Sequence, residues 1–115
     1  MNDRHFTDFH IAGFTYYNGV DVFENLKIGK ALLLKAEPQN RFDPHAVAIY
    51  YQDEKIGFVP AEKNEILSKF LNLGHSDLFE AKISQISPEA HPEKQIRVVV
   101  RIRNRNDQDK PSLIA

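Results

Sequence analysis

The sequence predicts a mainly β, α+β domain: a small closed or nearly closed barrel of about six strands with one firm helix. Three observations carry this prediction. Six segments pair strand-type periodicity or apolar runs with turn residues at their ends. One segment, from Pro60 to about Leu73, switches to helical spacing. The chain has 115 residues, one domain's worth, and a chain of that size buries roughly two thirds of the surface its unfolded form exposes. An open sheet with the helix packed across it has the same periodicities, and the sequence does not separate the two.

The elements follow in order. Thr7 to Ala12 places Phe9 and Ile11 on one face and Asp8 and His10 on the other. A second, short helical turn falls at Val22 to Leu26. Lys30 to Ala36 is leucine-rich and stops before Pro38. Ala46 to Tyr51 and Lys55 to Val59 flank the short polar connection Gln52-Asp53-Glu54, the spacing of a β-hairpin. Pro60 cannot continue a strand and suits a helix start. Glu62 and Glu65 lie in the first turns, Ile66, Leu67, Phe70 and Leu71 form an apolar stripe, and Gly74 fits the position just past the end. Leu78 to Ile86 alternates. Gln95 to Asn104 alternates most cleanly, with Ile96, Val98, Val100 and Ile102 on one face and Arg97, Val99, Arg101 and Arg103 on the other. Residues 1–105 read as a single domain and 106–115 as a flexible C-terminal tail.

Composition narrows the chemistry. Apolar residues make up 42% and charged residues 27%, ordinary for a globular protein. With no cysteine, a disulfide framework, a thiolate zinc site and a cysteine nucleophile are all excluded. No apolar run approaches the ~18 residues of a membrane helix. The first ten residues have no apolar signal core, so a cytoplasmic protein with no membrane partner is expected. The net charge of −1 conceals an uneven distribution. Lys94, Arg97, Arg101, Arg103 and Arg105 lie in a stretch without acids, which leaves 10 bases against 16 acids elsewhere.

Four features are candidates for function. Tyr16 and Tyr17 stand between Gly13 and Gly19. Adjacent residues of an extended segment face opposite ways, so at least one tyrosine is exposed, and an exposed ring is a stacking platform for a base. The segment from Glu37 to Ala46 holds Asn40, Arg41, Phe42 and Asp43 in a polar loop framed by Pro38 and Pro44. Asn40 and Asp43 can bond their own backbone there. Phe58 follows Gly57 at a sharp strand-to-helix corner. The strand bearing Arg97, Arg101 and Arg103 offers guanidinium groups for phosphate. On the residues alone, the tyrosines and the loop read first as turn architecture. The arginine stripe reads equally well as a solvated edge. Catalytic patterns are poor. The five histidines lack metal-ligand spacing, no glycine-rich phosphate loop is present, and Asp43 with His45 is not a catalytic pair. No enzyme, metal or cofactor is expected.

Taken in order, Gly13-Phe14-Thr15-Tyr16-Tyr17-Asn18-Gly19, then Glu37-Pro38-Gln39-Asn40-Arg41-Phe42-Asp43-Pro44-His45-Ala46, then Ile56-Gly57-Phe58-Val59-Pro60 resemble the HIRAN domain. The resemblance runs from about Phe9 to Leu73. It implies a modified OB-like barrel. In eukaryotes it implies a module beside helicase-like ATPase and RING segments in DNA-repair proteins that remodel forks, where it captures single-stranded DNA at a free 3′-hydroxyl. Neither the ATPase motifs nor the RING cysteines occur in this sequence, so ATP hydrolysis and zinc are not carried over. Tyr16 falls at the family's base-stacking tyrosine and Phe42 where a second aromatic stacks. Asp43 falls at the carboxylate that meets the 3′-hydroxyl, and Asn40 lies in the same loop. Thr15 and Ala61 replace two phosphate-binding cations, and Phe58 replaces a histidine. Arg41, Lys63 or the Arg97–Arg103 stripe are the candidates to compensate.

The expectation is therefore a non-enzymatic module whose partner is DNA, single-stranded or at a 3′ end. A helicase or nuclease protein is a further partner. The rival is a protein-interaction adaptor using the same groove or a sheet edge for a peptide. Salt separates them, since phosphate contacts weaken steeply with ionic strength and apolar peptide contacts do not.

Overall fold

Alternating apolar and polar residues give each strand one face that must be covered, and an antiparallel sheet can do this by curling on itself. In the computed structural model, which describes residues 4–14, 17 and 22–103, the strands do so. They are β1 (His5–His10), β2 (Ala31–Ala36), β3 (Val47–Tyr51), β4 (Glu54–Phe58), β5 (Phe79–Ile86) and β6 (Ile96–Ile102). They form an antiparallel sheet of order β1-β6-β5-β2-β3-β4. Helix α1 (Ala61–Asn72) follows β4 after two residues and packs against β2 and β3.

The two ends of this order meet. Past β1 the chain runs on to Ala12, which exchanges backbone hydrogen bonds with Phe58, 2.9 Å in each direction. That bridge turns the curled sheet into a nearly closed, OB-like barrel. Its interior is filled by Ile11, Phe14, Ile49, Ile56, Ile83 and Val98, all essentially inaccessible. The closure needs Gly57. Its φ is +150°, and a Cβ there would sit 2.4 Å from Ile11 Cγ2 and 2.6 Å from the Ala12 carbonyl oxygen. No side chain fits between two backbones that approach this closely.

The helix ends as the sequence predicts. Gly74, at φ +90°, donates to the Leu71 carbonyl, and the His75 N–H donates back to Phe70, which closes the last turn. Its buried stripe is rotated from the expected one. Asn64, Leu67 and Ser68 are buried and Leu71 packs against the core, whereas Ile66 is exposed and Phe70 lies at the surface. Two polar side chains can face inward because both are satisfied there. The Ser68 hydroxyl donates to the Glu65 carbonyl, and Asn64 reaches a carboxylate described below. Val99 is a second departure. It lies on the arginine face of β6 but is buried, flanked in register by Asp8 and Lys82. At Val22 to Leu26 the expected turn is a 3-10 turn over Phe23–Asn25. Residues 106–115 of the expected tail lie outside the described residues. Among the described residues no helix is long and apolar enough to cross a membrane.

Gly57→Ala is expected to cost about 3 kcal/mol or more in urea denaturation, because the new methyl meets backbone as well as side chain at a glycine-type φ. A loss below 1 kcal/mol would mean that the bridge opens freely and does not close the barrel.

Candidate functional site

The closing bridge gathers three segments at one mouth of the barrel: Phe58, the loop between β2 and β3, and the first turn of α1. Between them lies an open cleft of about 290 Å³. Tyr17, Asn40, Phe42, Asp43, Phe58 and Asn64 line it, with Ala12 and Ala61 at its floor and rim.

One wall is the polar loop, and its shape comes from its own side chains. Asn40 Oδ1 accepts from the backbone N–H groups of Phe42 (2.9 Å) and Asp43 (3.0 Å). Asp43 Oδ1 accepts from the His45 N–H at 2.8 Å. The backbone closes the loop with Glu37 N–H to Ala46 O and Ala46 N–H to Asp43 O. These are Asx turns, as the sequence leads one to expect. Phe42 is not packed beneath them. It is 97% exposed at the loop tip, on a backbone whose amides at Phe42 and Asp43 are both held by Asn40. A fully hydrated phenyl ring on a fixed backbone gains from any flat partner laid on it.

Asp43 is tied to the helix as well. Asn64, only 3% exposed, donates from Nδ2 to Asp43 Oδ2 at 2.8 Å. That bond, followed by the His45 N–H, holds the Asp43 carboxyl below its ordinary value, so it is ionised at neutral pH. Each oxygen has accepted one hydrogen bond, and a carboxylate offers about four acceptor sites. Capacity remains toward the cleft.

The opposite wall is aromatic. The Tyr17 and Phe58 rings meet edge-on, 5.4 Å apart at 70°. Lys55 Nζ lies 4.4 Å from the Phe58 centroid and 5.1 Å from that of Tyr17. The same ammonium donates to Glu37 Oε2 at 2.8 Å, and Glu37 Oε1 accepts from Asn40 Nδ2 at 3.0 Å. Burial raises the Glu37 carboxyl, but the bonds from Lys55 and Asn40 outweigh it and leave the group below its ordinary value.

The remaining expected site residues are spread out. Tyr16 lies outside the described residues, as does Thr15. Arg41 is exposed in the loop beside Phe42. Lys63 faces an adjoining cleft of about 480 Å³ that shares Ala12 and Ala61 with the first and also receives His10, Lys94 and Arg97. Arg97 is paired with Asp8, which also bonds His5. His10 has its imidazole pushed down by burial and then by Arg97 and Lys94. The arginine stripe is therefore divided. Arg101 stands exposed between His5 and Glu80 in register. Arg103, roughly 20 Å along the strand from Arg97, donates to the carbonyls of Asp77 and Phe79 and lines a separate cavity beside Leu33 and Leu71. Sequence reasoning missed Asn64, Lys55 and Glu37. Asn64 had a signal, an amide spaced three, four and seven residues from Leu67, Ser68 and Leu71 on one helical stripe. Lys55 and Glu37 had none, because their meeting depends on sheet register. Among the described residues no cluster of three or more His, Asp or Glu side chains could hold a metal.

Comparisons with known proteins agree with the fold. The family model for the HIRAN domain matches residues 5–105. A crystal structure of a protein from Lactobacillus plantarum superposes with a TM-score of 0.72 at 17% identity, covering 87% of this chain and 95% of that one. The crystal structure of the HIRAN domain of human HLTF superposes with a TM-score of 0.58 at 16% identity, covering 89% of this chain and 79% of that one. No curated protein matches the sequence.

Three lowered carboxyls, Asp8, Glu37 and Asp43, set an acid limit. A carboxyl with a lowered folded value adds stability above its unfolded value and loses it as pH falls through the folded one. Stability is expected to start falling as pH drops through about 6.5, where the unfolded chain protonates His10 before the folded one does, and to fall further below about pH 4 as the lowered carboxyls protonate. In Asn64→Ala the Asp43 carboxyl returns toward its ordinary value and the acid limb becomes shallower. NMR titration of Asp43 checks this, and an unmoved midpoint would show that Asn64 does not set it.

Proposed function

The chain belongs to the HIRAN domain family, a family of nucleic-acid-binding modules, and on that premise we propose that it binds single-stranded DNA with a free 3′-hydroxyl end as its preferred ligand. The observation that carries this reading is the pairing, in one cleft, of a hydrated aromatic at Phe42 with an ionised acceptor at Asp43, facing the Tyr17/Phe58 wall. Stacking needs a ring whose face is open and whose backbone is fixed, and Phe42 has both. A carboxylate repels phosphate, so its place in such a cleft favours a ligand that presents a hydroxyl donor. A 3′ terminus does so, and a charged acceptor strengthens that bond.

In this reading the terminal base lies against Phe42 and the Tyr17/Phe58 wall, with Tyr16 as a further stacking ring. Asn40 holds the loop and Asp43 accepts from the 3′-hydroxyl. Arg41, Lys63 and Arg97 are the cations assigned to phosphates leaving the cleft, Lys63 and Arg97 through the adjoining cleft that they line with Ala61. Arg101 and Arg103 contribute at most to the long-range field. Catalysis on the bound strand belongs to a helicase or nuclease partner.

Phe42→Ala is expected to weaken binding of a short oligothymidylate by about 1–3 kcal/mol. Folding stability should not change, since the ring is fully exposed. Equal affinity would remove Phe42 from the site. Fluorescence titration with 3′-hydroxyl and 3′-phosphate strands tests end recognition. The capped strand binds more weakly, and Asp43→Ala narrows the difference. A wild-type protein that binds both alike refutes recognition of the end. Arg97→Gln should flatten the salt slope by less than about 0.7, the value of one full contact, because Asp8 already competes for its guanidinium, whereas Arg103→Gln should leave it unchanged.

A further inference from the structure

Lys55 lies at the meeting point of the two cleft walls and belongs to neither. Its side chain is only 26% exposed, a costly place for one that ends in so strongly hydrated a group unless its surroundings replace water. They do so on two sides. Glu37 Oε2 accepts at 2.8 Å, and the faces of Phe58 and Tyr17 lie at 4.4 and 5.1 Å. Glu37 is bidentate in function. One oxygen holds Lys55, and the other holds Asn40 Nδ2 at 3.0 Å. With its NH₂ fixed there, Asn40 must turn Oδ1 toward the loop, where it receives the N–H groups of Phe42 and Asp43. Hydrogen bonds and ring contacts thus run unbroken from the aromatic wall, through one ammonium and one carboxylate, to the two residues at the loop tip.

We propose that Lys55 is the positioning residue of this cleft: paired with Glu37, it holds the Tyr17/Phe58 wall and the Phe42–Asp43 tip at the separation that admits a terminal base. The role rests on the nucleic-acid reading above and adds to it. Lys55 touches no ligand. It acts because removing the charge releases both walls at once. The Tyr17 and Phe58 rings lose the cation that orients them, and Glu37 loses the partner that directs it at Asn40. A lysine that met phosphate directly would also favour binding, but it would contribute to the salt slope, and a positioning lysine does not.

The test compares the wild type with Lys55→Met, which keeps the aliphatic length, and Lys55→Arg, which keeps the charge. The probes are hexathymidylate with a 3′-hydroxyl and the same strand with an abasic 3′ residue. Lys55→Met should weaken the first probe roughly five- to tenfold, between the exposed and the desolvated values of a cation–π contact. Its salt slope should equal that of the wild type, and its affinity for the abasic strand should change less than twofold. Lys55→Arg should restore binding of the first probe. In the free Lys55→Met protein, the Tyr17–Phe58 ring NOEs should weaken and the Phe42 and Asp43 amide signals should shift, with both effects reversed in Lys55→Arg. A slope lowered by about 0.7 would make Lys55 a phosphate contact and overturn the proposal. So would Lys55→Met binding the first probe as tightly as the wild type does. A wild type with no affinity for either strand overturns the nucleic-acid reading itself, and the positioning role with it.

Discussion

The backbone bridge between Ala12 and Phe58 is the constraint on which the rest of the site depends. Two hydrogen bonds join the segment after β1 to the end of β4, and Gly57 lets the two backbones come together. Without this bridge the sheet has two free edges and no mouth. With it, Phe58 is fixed at the rim, Pro60 turns the chain into α1 two residues later, and the first turn of the helix lies beside the loop between β2 and β3. A hydrogen-bond pair that looks like barrel architecture therefore also assembles the cleft. The absence of a side chain at position 57 serves both purposes, since a methyl group there would meet Ile11 and the Ala12 carbonyl.

From that frame the polar groups are arranged so that little is left to the ligand. Loop tips are ordinarily mobile because few bonds hold them. Here Asn40 and Asp43 fix the tip from inside, Asn64 fixes it from the helix, and Glu37 with Lys55 fixes it from the neighbouring hairpin. Ordering a loop on binding costs affinity. A tip already ordered in the free protein avoids that cost and can leave a large apolar ring in water. The full exposure of Phe42 would be an anomaly on a mobile tip, where the ring could fold back onto the barrel.

Much of this was legible in the sequence, for identifiable reasons. Strand positions followed from period-two alternation, which is a local property. The helix end followed from Gly74 and the loop turns from Asn40 and Asp43, whose bonds lie within three residues of themselves. Where the sequence misled, the deciding partner was distant. Ile66 reads as core and Asn64 as surface until Asp43, 21 residues away, supplies an acceptor. Val99 reads as exposed until β1 and β5 flank it. The arginine stripe reads as one feature because its members alternate on one strand, yet the surroundings at its two ends differ. Arg97 meets Asp8 beside a cleft, and Arg103 is occupied by carbonyls at the other end. Lys55 could not have been singled out, because Glu37 and Tyr17 reach it from segments distant in sequence.

The charge distribution takes on a different meaning in this light. An acidic body with one basic segment suggests a stripe that attracts nucleic acid by itself, yet its Arg97 is paired with a carboxylate and Arg103 is bonded to backbone. Charges so engaged bring weak attraction to a polyanion, since each phosphate contact must compete with an existing partner. On the proposed function, discrimination then comes from the cleft, where an ionised Asp43 disfavours a phosphate brought close and favours a hydroxyl donor. A weak general field and a repelling carboxylate together disfavour binding along the interior of a strand. In the proposed function this is the physical reason for an end as ligand, since a 3′ terminus is the one place where a base can enter without a following phosphate.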